Sequence, residues 1–498
     1  MSRRPTALPR ARAKPCGARR EARRAWTEGR RRIAALKRRP RRRRRVPRLV
    51  VVGGNAAGMS AASKAKRRRD DLEVLVLEQG DHISYSSCGI PFLIEGTVQD
   101  PDALSVLDPQ KAGERGIDVR LHTRAVAFNP YTKAIAVEGP DGRDEIGYDK
   151  LVLAMGTRPR TALPGSDLEG VFAIRHLGDG LRLLSHLQGH RTRKAIVVGG
   201  GPTGLEMAEA LHRHGAKVEV YTRNDRILSE FDPEMTDGFP EWLEERGVPV
   251  HLGAEVQAFQ GEGKLHDVLV DGKAHRADVA INATGIEPAT EFAVKAGVAA
   301  TRDGFLLVDD NLHTNYHDVW AAGDCVAPRH ILTGRPTPVA LALPANRMGR
   351  IAGDAVASSL EKIPVPRSSF PGVLGTAIAR IFGLGFAKTG LTEQECKAER
   401  MDVETVVVEA KSKAGYMPDV GDLAVKMVAD ADSHKVLGCQ LIGPEEAVLR
   451  VNAAAVAVQA GLKVQKLADT ETAYSPPFSP VWDPVVLAAG ELAKKLRR

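Results

Sequence analysis

The segment R-L-V-V-V-G-G-N-A-A-G (48–58) decides the fold of this chain. Its first half is a continuous apolar run, which is typical of a buried parallel strand, and a helix is predicted over 56–69, directly behind the glycine turn. A second strand is expected at 73–77. Strand, glycine turn, helix and strand within about thirty residues form the βαβ unit that binds a dinucleotide.

The residues of this turn and the end of the second strand fit a dinucleotide. Gly53 permits the tight turn and Gly58 permits close packing of the helix, while Asn55 stands where a glycine is usual. The pyrophosphate is expected on the amides that open the helix, at Ala56. Glu78 follows the second strand, where a carboxylate accepts both hydroxyls of an adenosine ribose. The strand, glycine turn, helix, second strand and acid in this order predict a dinucleotide-binding site.

A second unit of the same kind is predicted at 195–221. Its turn, G-G-G-P-T-G (199–204), has every glycine of the motif, and a helix is expected over 204–214. The cofactor residues predicted from this turn are Gly199, Gly201, Gly204 and Glu206. The chain therefore contains two dinucleotide folds in series.

The strand that follows the second turn ends without an acid. Tyr221 is followed by Thr222 and Arg223, at the place where an NAD site carries a carboxylate. A missing carboxylate beside a guanidinium suits a 2′-phosphate, so we predict NADPH in preference to NADH, with NADH still possible. The alternative is that Arg223 is only a solvated surface charge.

Three later segments organise the rest of the chain. The runs L-V-L-A-M-G-T-R-P (151–159, with Gly156) and V-A-I-N-A-T-G-I-E-P (279–288, with Gly285) are predicted crossover strands that close the two units. The run V-W-A-A-G-D-C-V (319–326) returns to the first fold and carries Asp324 after its strand. From about 364 the pattern becomes β-rich, with runs at 404–409 and 423–428 before a helix at 446–460.

We therefore predict an α/β chain with two doubly wound dinucleotide-binding domains, the second inserted in the first, and a C-terminal α+β domain. The first domain is expected at 46–157 and 286–363, the second at 158–285 and the C-terminal domain at 364–498.

Residues 1–45 are predicted to be a disordered, arginine-rich leader. The first 48 residues hold 19 Arg and 2 Lys against Glu21 and Glu28, which leaves 50 basic and 60 acidic residues in the rest of the chain. The leader is interpreted as a nucleic-acid or anionic-surface arm, an organellar targeting segment, or translated sequence upstream of the true start. We favour the third, with a start codon at Val46.

Composition narrows the classes of protein. No apolar run reaches the ~18 residues of a membrane span, so no membrane partner is expected, and no nucleic-acid partner is expected apart from the leader. Five scattered cysteines indicate a reducing compartment, and we expect the cytoplasm. No metal site is predicted.

Cys88 lies alone in S-Y-S-S-C-G-I-P-F (84–92), far from the other cysteines of the chain. Pro91 belongs in a first helical turn, so the sulfur is predicted at or just before a helix N-terminus, where the amide dipole favours thiolate. The alternative for a lone cysteine is a small buried apolar residue. The flanking dinucleotide folds favour a redox thiol beside a flavin.

These motifs together resemble the single-cysteine class of pyridine nucleotide-disulfide oxidoreductases, whose nearest members are coenzyme A-disulfide reductases (CoADR) and NAD(P)H oxidases. The resemblance covers 46–490 and rests on the two glycine turns, the Cys88 segment, A-A-G-D (321–324) and A-Y-S-P-P-F-S-P-V-W-D-P (473–484). It implies FAD in the first fold, with Asp324 on the ribityl chain, NAD(P)H in the second, and a homodimer made by the C-terminal domain.

The resemblance also implies roles for individual residues. Cys88 is the redox nucleophile, and Tyr474 crosses the dimer interface toward the partner's cysteine, as proton donor or holder of a water. Tyr416 matches the first of a tyrosine pair, whose second member is replaced by Met417. For both tyrosines the alternative is packing with a satisfied hydroxyl.

A basic helix face points to coenzyme A. Ser60, Lys64 and Arg67 share one face of the first helix, and coenzyme A-disulfide reductases use matching positions together with Ser84 and Ser87. The alternative is a basic helix end that interacts favourably with the helix dipole.

The predicted reaction is the NADPH-dependent reduction of coenzyme A disulfide through FAD and Cys88, with a Cys88–coenzyme A mixed disulfide as the resting form. The alternatives are an NAD(P)H oxidase or peroxidase using a Cys88 sulfenic acid, a polysulfide or persulfide reductase, an electron-transfer flavoprotein for a protein partner, and a nucleic-acid-associated flavoprotein acting through the leader.

Overall fold

The computed structural model describes residues 46–361 and 369–497, so the predicted leader lies outside the described residues. Its α-helices are α1 (Ala56–Arg68), α2 (Ile90–Ile94), α3 (Pro109–Glu114), α4 (Leu177–Gly189), α5 (Pro202–Arg213), α6 (Pro233–Thr236), α7 (Phe239–Glu244), α8 (Glu291–Lys295), α9 (Ala342–Ser359), α10 (Glu393–Ala398), α11 (Val451–Gln459), α12 (Val464–Ala468) and α13 (Pro484–Lys495). Short 3₁₀ helices lie at Ser87–Gly89, Pro101–Leu104 and Val448–Arg450.

The strands follow the same chain order. They are β1 (Arg48–Val52), β2 (Glu73–Leu77), β3 (Ile117–Arg120), β4 (Arg124–Asn129), β5 (Ala134–Gly139), β6 (Gly142–Gly147), β7 (Lys150–Leu153), β8 (Thr157–Pro159), β9 (Val171–Phe172), β10 (Lys194–Val198), β11 (Lys217–Thr222), β12 (Val250–Leu252), β13 (Val256–Gln260), β14 (Asp267–Val270), β15 (Lys273–Arg276), β16 (Val279–Asn282), β17 (Ile286–Pro288), β18 (Val319–Ala321), β19 (Ala377–Ile381), β20 (Leu384–Gly390), β21 (Val403–Lys411), β22 (Asp422–Asp430) and β23 (Val436–Pro444).

The first dinucleotide fold is a parallel sheet in the order β18-β7-β1-β2-β3. Its central strands are almost wholly buried because α1 packs against them and the small β4-β5-β6 sheet contributes to the same hydrophobic core, which explains the continuous apolar run of β1. Val52 pairs with Leu77 and with Leu153, so the residues that follow β1, β2 and β7 lie at one edge of the sheet. The predicted fold is confirmed.

The second fold is a parallel sheet in the order β12-β11-β10-β16-β9, and it lies within the first. The antiparallel pair β8 and β17 connects the two folds, and β18 then rejoins the first sheet. Each predicted crossover run is in fact two strands, β7 and β8 or β16 and β17, because Gly156 and Gly285 turn the chain between them at positive φ. The insertion predicted from the sequence is confirmed.

The C-terminal domain is an antiparallel sheet in the order β19-β20-β23-β22-β21, with α11 and α13 packed against it. The strands are longer than the predicted runs. The helix predicted at 446–460 is wrong at its start, since Ala447 donates to the Pro444 carbonyl at 2.9 Å and a 3₁₀ turn precedes α11. No helix of the described residues is long and apolar enough to cross a membrane.

Helices α1 and α9 pack at very short range beside the first sheet. A Cβ atom at Gly349 would lie 2.1 Å from the Ala57 carbonyl oxygen, and one at Gly353 would lie 2.2 Å from the Ala61 carbonyl oxygen. Only glycine allows this approach, which holds the helix behind the first glycine turn against α9.

Replacing Gly353 with alanine is expected to lower the free energy of unfolding by about 3 kcal/mol, because backbone must move to admit the methyl group. The matched control is Gly490→Ala in α13, where nothing lies within 4 Å of the added Cβ, so alanine there is expected to gain up to about 1 kcal/mol. Thermal unfolding midpoints of the holoproteins measure both. Equal midpoints for the two variants would contradict the close packing.

Candidate active site

A cavity of about 1280 Å³ opens at the C-terminal edge of the first sheet. Its walls come from the segments that follow β1, β2, β7 and β18, together with the Cys88 segment and one face of α1. The predicted residues that line it are Gly53, Asn55, Ala56, Ser60, Lys64, Arg67, Glu78, Ser84, Ser87, Cys88, Gly156 and Asp324. The structure therefore brings the predicted flavin residues, the cysteine and the basic helix face together.

The first glycine turn forms one wall of this cavity. Gly53 has φ +102°, and a Cβ there would lie 2.2 Å from the Ala154 carbonyl oxygen, while a Cβ at Gly58 would lie 1.8 Å from the Gly53 carbonyl oxygen. The Glu78 carboxylate accepts from the amides of Gly54 at 2.7 Å and Gly80 at 2.8 Å, which fixes its position at the wall. The short distances from the Cβ positions of Gly53 and Gly58 to backbone atoms therefore require glycine at both positions.

Besides Oγ1 of Thr157, two buried oxygens of the cavity have no hydrogen-bond partner among the described residues. Asn55 is the N-cap of α1 but makes no capping bond, and its Oδ1 atom is one of them. The other is Oδ1 of Asp324, whose Oδ2 pairs with the Arg175 guanidinium. Because buried polar atoms are normally bonded, these oxygens mark positions for ligand groups, and the site fits the FAD predicted from the sequence.

Cys88 faces the cavity from the 3₁₀ turn Ser87–Gly89, just before α2. The prediction that the position of Cys88 favours the thiolate is wrong, because the protein groups around the sulfur raise the pKa of the thiol. Desolvation by the surrounding walls raises the pKa of the thiol, the Glu206 carboxylate raises it further, and Arg175 opposes them. α2 is only five residues long, and the amides of Gly89 and Ile90 are already bonded to the carbonyls of Ser86 and Ser87.

Helix α2, which directly follows the Cys88 turn, is connected to both other domains by side-chain contacts. Arg380 of β19 donates from Nη2 to both oxygens of Glu95, the residue after α2, at 2.7 and 2.8 Å. Glu209 of α5 accepts from the Phe382 amide at 2.6 Å, and its other oxygen lies 3.8 Å from Arg380. These buried acids and Arg380 form one network beside the redox segment, which connects α2 with both other domains.

Glu206, predicted as a nicotinamide-cofactor residue, lies on α5 near this network. Burial raises the pKa of Glu206 to about 7, with repulsion from Glu209 adding to it and Arg380 opposing it. The pKa of Glu206 in the folded protein is above the unfolded value of 4.5, so the ionised carboxylate destabilises the fold. The stability that the protonated carboxyl contributes is complete below pH 4.5 and is lost as the pH rises through 7.

Glu206→Gln is therefore expected to raise the free energy of unfolding by about 2 kcal/mol at pH 8 and by less than about 1 kcal/mol at pH 5. Thermal midpoints of the holoprotein, without nicotinamide nucleotide, measure the difference at each pH. Glu245→Gln, at an exposed carboxylate, is the control and is expected to show no such dependence. A Glu206→Gln effect equal at both pH values would refute the raised pKa.

The basic face of α1 is only partly neutralised. Ser60 donates to Oδ1 of Asn346 at 2.8 Å, and Lys64 lies 3.4 Å from the buried Asp354 carboxylate. Arg68 also lines the cavity but is paired with Asp354 and Glu361. Arg67 is exposed at the cavity and makes no ion pair among the described residues. Arg67 is thus the cation of this face that is available to a ligand.

Sequence reasoning missed several residues of this cavity. They are Arg158, Arg175, His176, Asn346 and Arg350. His176 lies 3.1 Å from the Tyr85 hydroxyl, across ninety-one positions of the chain. Asn346 and Arg350 share one face of α9, and their spacing in N-R-M-G-R (346–350) was the available signal.

The second glycine turn has the same construction as the first. Gly199 has φ +121° with a Cβ position 2.3 Å from the Ala283 carbonyl oxygen, and a Cβ at Gly204 would lie 2.1 Å from the Gly199 carbonyl oxygen. Gly201 is the N-cap of α5 and has nothing within 4 Å of its Cβ position, which leaves the backbone open to a ligand. The same edge of the sheet carries Thr222, which ends β11, and Arg223, which follows it. Gly285 lies there too, after β16. Thr222 is buried and Arg223 is exposed.

Tyr416 and Tyr474 do not line the cavity of their own chain. They are 75% and 47% exposed, and the nearby Tyr474 hydroxyl raises the pKa of Tyr416. The sequence did not predict that these two tyrosines interact.

Comparisons with known proteins agree with this geometry. The family model for pyridine nucleotide-disulphide oxidoreductases matches residues 47–349, and that for the dimerisation domain of the same enzymes matches residues 377–484. The NAD(P)H sulfur oxidoreductase (CoA-dependent) of Pyrococcus abyssi is 36% identical over 420 residues, which is 84% of this chain and 92% of the relative.

Two solved structures are similar over most of the chain. The NAD-dependent persulfide reductase of A. fulgidus has a TM-score of 0.85 and 32% identity, covering 90% of this chain and 83% of that one. The reduced CoADR-RHD protein of Bacillus anthracis has a TM-score of 0.85 and 30% identity, covering 90% and 80%.

Proposed function

Because this chain belongs to the pyridine nucleotide-disulphide oxidoreductase family, we propose that it reduces coenzyme A disulfide with NADPH, through FAD and Cys88. The chain is an NAD(P)H-dependent flavoprotein disulfide reductase. The observation that carries the choice of substrate is the cavity in which Cys88 shares walls with Arg67 and Lys64. Cations beside a reactive sulfur suit a bulky, phosphorylated disulfide.

FAD in the first fold supplies two-electron transfer between NAD(P)H and a disulfide. Asn55, Glu78 and Asp324 would hold it, with the glycine turn against its pyrophosphate. Cys88 as thiolate attacks one sulfur of coenzyme A disulfide, forms a mixed disulfide and releases the first coenzyme A thiolate. Two electrons from NADPH then cleave the mixed disulfide to the Cys88 thiolate and the second coenzyme A. One NADPH and one proton are consumed for two coenzyme A thiols.

Proton supply and oligomeric state belong to the same proposal. Tyr474, or water held by it, would act as the proton donor across a homodimer interface. Support comes from the exposed apolar side chains of the same segment, Phe478, Val481 and Trp482, which are 66% to 76% exposed. Sedimentation velocity should give a dimer, and a monomer with full disulfide reductase activity would remove this role.

The preference for NADPH rests on Arg223, which is exposed beyond β11 with no acid at the neighbouring Thr222. Arg223→Ala is expected to raise the KM for NADPH about tenfold and to leave the KM for NADH unchanged, because only NADPH carries the 2′-phosphate. Lys217→Ala, at the other end of β11, is the control. Equal changes in both KM values would show that Arg223 does not read the phosphate.

A second candidate reaction is reduction of a persulfide or polysulfide, since the A. fulgidus relative is named a persulfide reductase and the Pyrococcus abyssi relative a CoA-dependent sulfur oxidoreductase. Anaerobic assays with limiting NADPH separate the two. Coenzyme A disulfide should yield two thiols per NADPH, whereas a persulfide substrate would release sulfide. Turnover with persulfide or oxygen and none with coenzyme A disulfide would refute the first proposal.

For location, the cysteines of the described residues are all free thiols, which suits the cytoplasm that we propose.

A further inference from the structure

A second group of ligating side chains lies in the inserted domain, outside the active-site cavity. His186 and His190 line a separate cavity of about 600 Å³, and the ligand atoms of Glu169, His186 and His190 all lie within 4.8 Å of one another. We propose that these three residues bind one divalent cation of the zinc type, with water completing a tetrahedral site.

The two histidines are held in place by their helix. His186 is in the last turn of α4 and His190 directly follows that helix, so the i and i+4 positions put both rings on one face. The two rings are stacked, with centroids 4.5 Å apart and an interplanar angle of 23°, so the His190 ring must rotate before both imidazoles direct a lone pair at one ion. The Phe172 ring packs against His186 at 5.4 Å. The buried His186 therefore has little freedom, while His190 is exposed and can adjust.

His190 has the hydrogen bond that metal-ligating histidines usually make. Its Nδ1 lies 3.2 Å from the His186 carbonyl oxygen, an acceptor that requires a proton on Nδ1. In the neutral ring this leaves the lone pair on Nε2, which lies 3.9 Å from Oε1 of Glu169. Two facing lone pairs repel unless a proton or a cation lies between them.

The spacing suits a metal ion. Zinc bonds to imidazole nitrogen and carboxylate oxygen are about 2.0–2.2 Å long, so two bonds span roughly 4 Å at most. The gap of 3.9 Å between Nε2 and Oε1 is within that reach. Two imidazoles and one carboxylate prefer zinc, copper or nickel over calcium or magnesium.

The surroundings hold the Glu169 backbone in place and add one further polar group. The Glu169 backbone is paired with the neighbouring turn, since its amide donates to Gly263 at 3.1 Å and its carbonyl accepts from Leu265 at 2.7 Å. Oγ1 of Thr192, in the same cavity, is buried without a partner among the described residues and is available to a metal-bound water.

The positively and negatively charged side chains around the site are nearly equal in number. The Lys264 ammonium lies 3.9 Å from Oε1 of Glu169 and is the competing cation, but its side chain is 48% exposed and can move away. Arg191 and Arg276 also line the cavity, opposed by Glu262, Asp267 and Asp278. Asp267 is bonded to His266, and Asp278 accepts from the amides of Arg193 and Lys194, so neither competes as a ligand.

A cation here would join the end of α4 to the segment before β9 that carries Glu169, which is hydrogen-bonded to the turn that carries Lys264. The other end of α4 follows Arg175 and His176, which line the active-site cavity. The ion would thus stabilise the placement of that helix. The site was not predicted from the sequence because Glu169 precedes His186 by seventeen residues and lies outside α4.

The test is an equilibrium titration of untagged holoprotein with Zn²⁺ against a chromogenic indicator, in a Cys88→Ser background that removes the exposed thiol. One Zn²⁺ per chain is expected. His186→Ala and His190→Ala should each weaken binding about 30-fold or more, and Glu169→Gln about tenfold. His266→Ala, a histidine of the same cavity outside the ligand set, should change it less than twofold.

Flavin absorbance and the thermal midpoint show whether each variant is folded. If His186→Ala misfolds, the variants at the exposed residues His190 and Glu169 still test the site. Electron paramagnetic resonance of the Cu²⁺-substituted protein should show coupling to two nitrogens. Unchanged Zn²⁺ binding in the His190 and Glu169 variants, or an equal loss in His266→Ala, would overturn the site.

Discussion

Replacing Cys88 with serine is expected to lower NADPH-dependent reduction of coenzyme A disulfide at least about 1000-fold, because a serine hydroxyl neither attacks a disulfide nor leaves as a thiolate. Cys88 is the cysteine that faces the active-site cavity, whereas Cys325, Cys396 and Cys439 are buried. None of these can replace it without unfolding. Initial rates with saturating NADPH and coenzyme A disulfide measure the effect.

The same variant separates the chemistry of the thiol from that of the flavin. Anaerobic reduction of the flavin by NADPH, followed by absorbance, should change less than about threefold in Cys88→Ser, because the residues proposed to hold both cofactors are untouched. A variant that still reduces coenzyme A disulfide would refute the role of Cys88. Undiminished reduction of a protein partner would favour an electron-transfer flavoprotein.

Reversing the charge of Arg67 is expected to raise the KM for coenzyme A disulfide about 100-fold while kcat changes little. Arg67 is the cation of the α1 face that is exposed at the cavity without an ion pair in the described part of the chain, so Arg67→Glu would repel the phosphates directly. Rates over a range of coenzyme A disulfide concentrations, at two salt concentrations, measure the effect.

Two controls sharpen this experiment. Arg302→Glu makes the same change of net charge at an exposed residue outside the cavity and should leave the KM within about twofold. Hydroxyethyl disulfide, which has no phosphate, should be reduced equally by the wild-type protein and Arg67→Glu. If Arg67→Glu impaired both substrates alike, Arg67 would serve the thiol chemistry or the fold and would not be a phosphate ligand.

Much of the active-site cavity was predictable because its residues follow strands of one parallel sheet. Gly53, Glu78, Gly156 and Asp324 each come soon after an apolar run, and parallel strands bring their carboxyl ends to one edge. Local periodicity therefore placed them together. The face of α1 was predictable for a similar reason, since helical spacing alone aligns Ser60 with Lys64 and Arg67.

What the sequence could not supply came from long-range packing. The pKa of Cys88 is raised partly by Glu206, which reaches it from the inserted fold, and no local pattern encodes that approach. Arg175 meets Asp324 across 149 positions of the chain. The start of α11 was mispredicted because a turn at Pro444 overrides the helical propensity of 446–450. Such contacts depend on how complete elements pack, which propensity does not determine.

The mass of the Cys88 peptide, after the protein with Cys88 as a free thiol has been incubated with coenzyme A disulfide without NADPH, tests the central claim most directly. We predict the mass of one coenzyme A on Cys88 under non-reducing conditions, and its loss on adding either NADPH or dithiothreitol. An unmodified Cys88 thiol, or one that carries only added oxygen, would contradict the proposed disulfide chemistry.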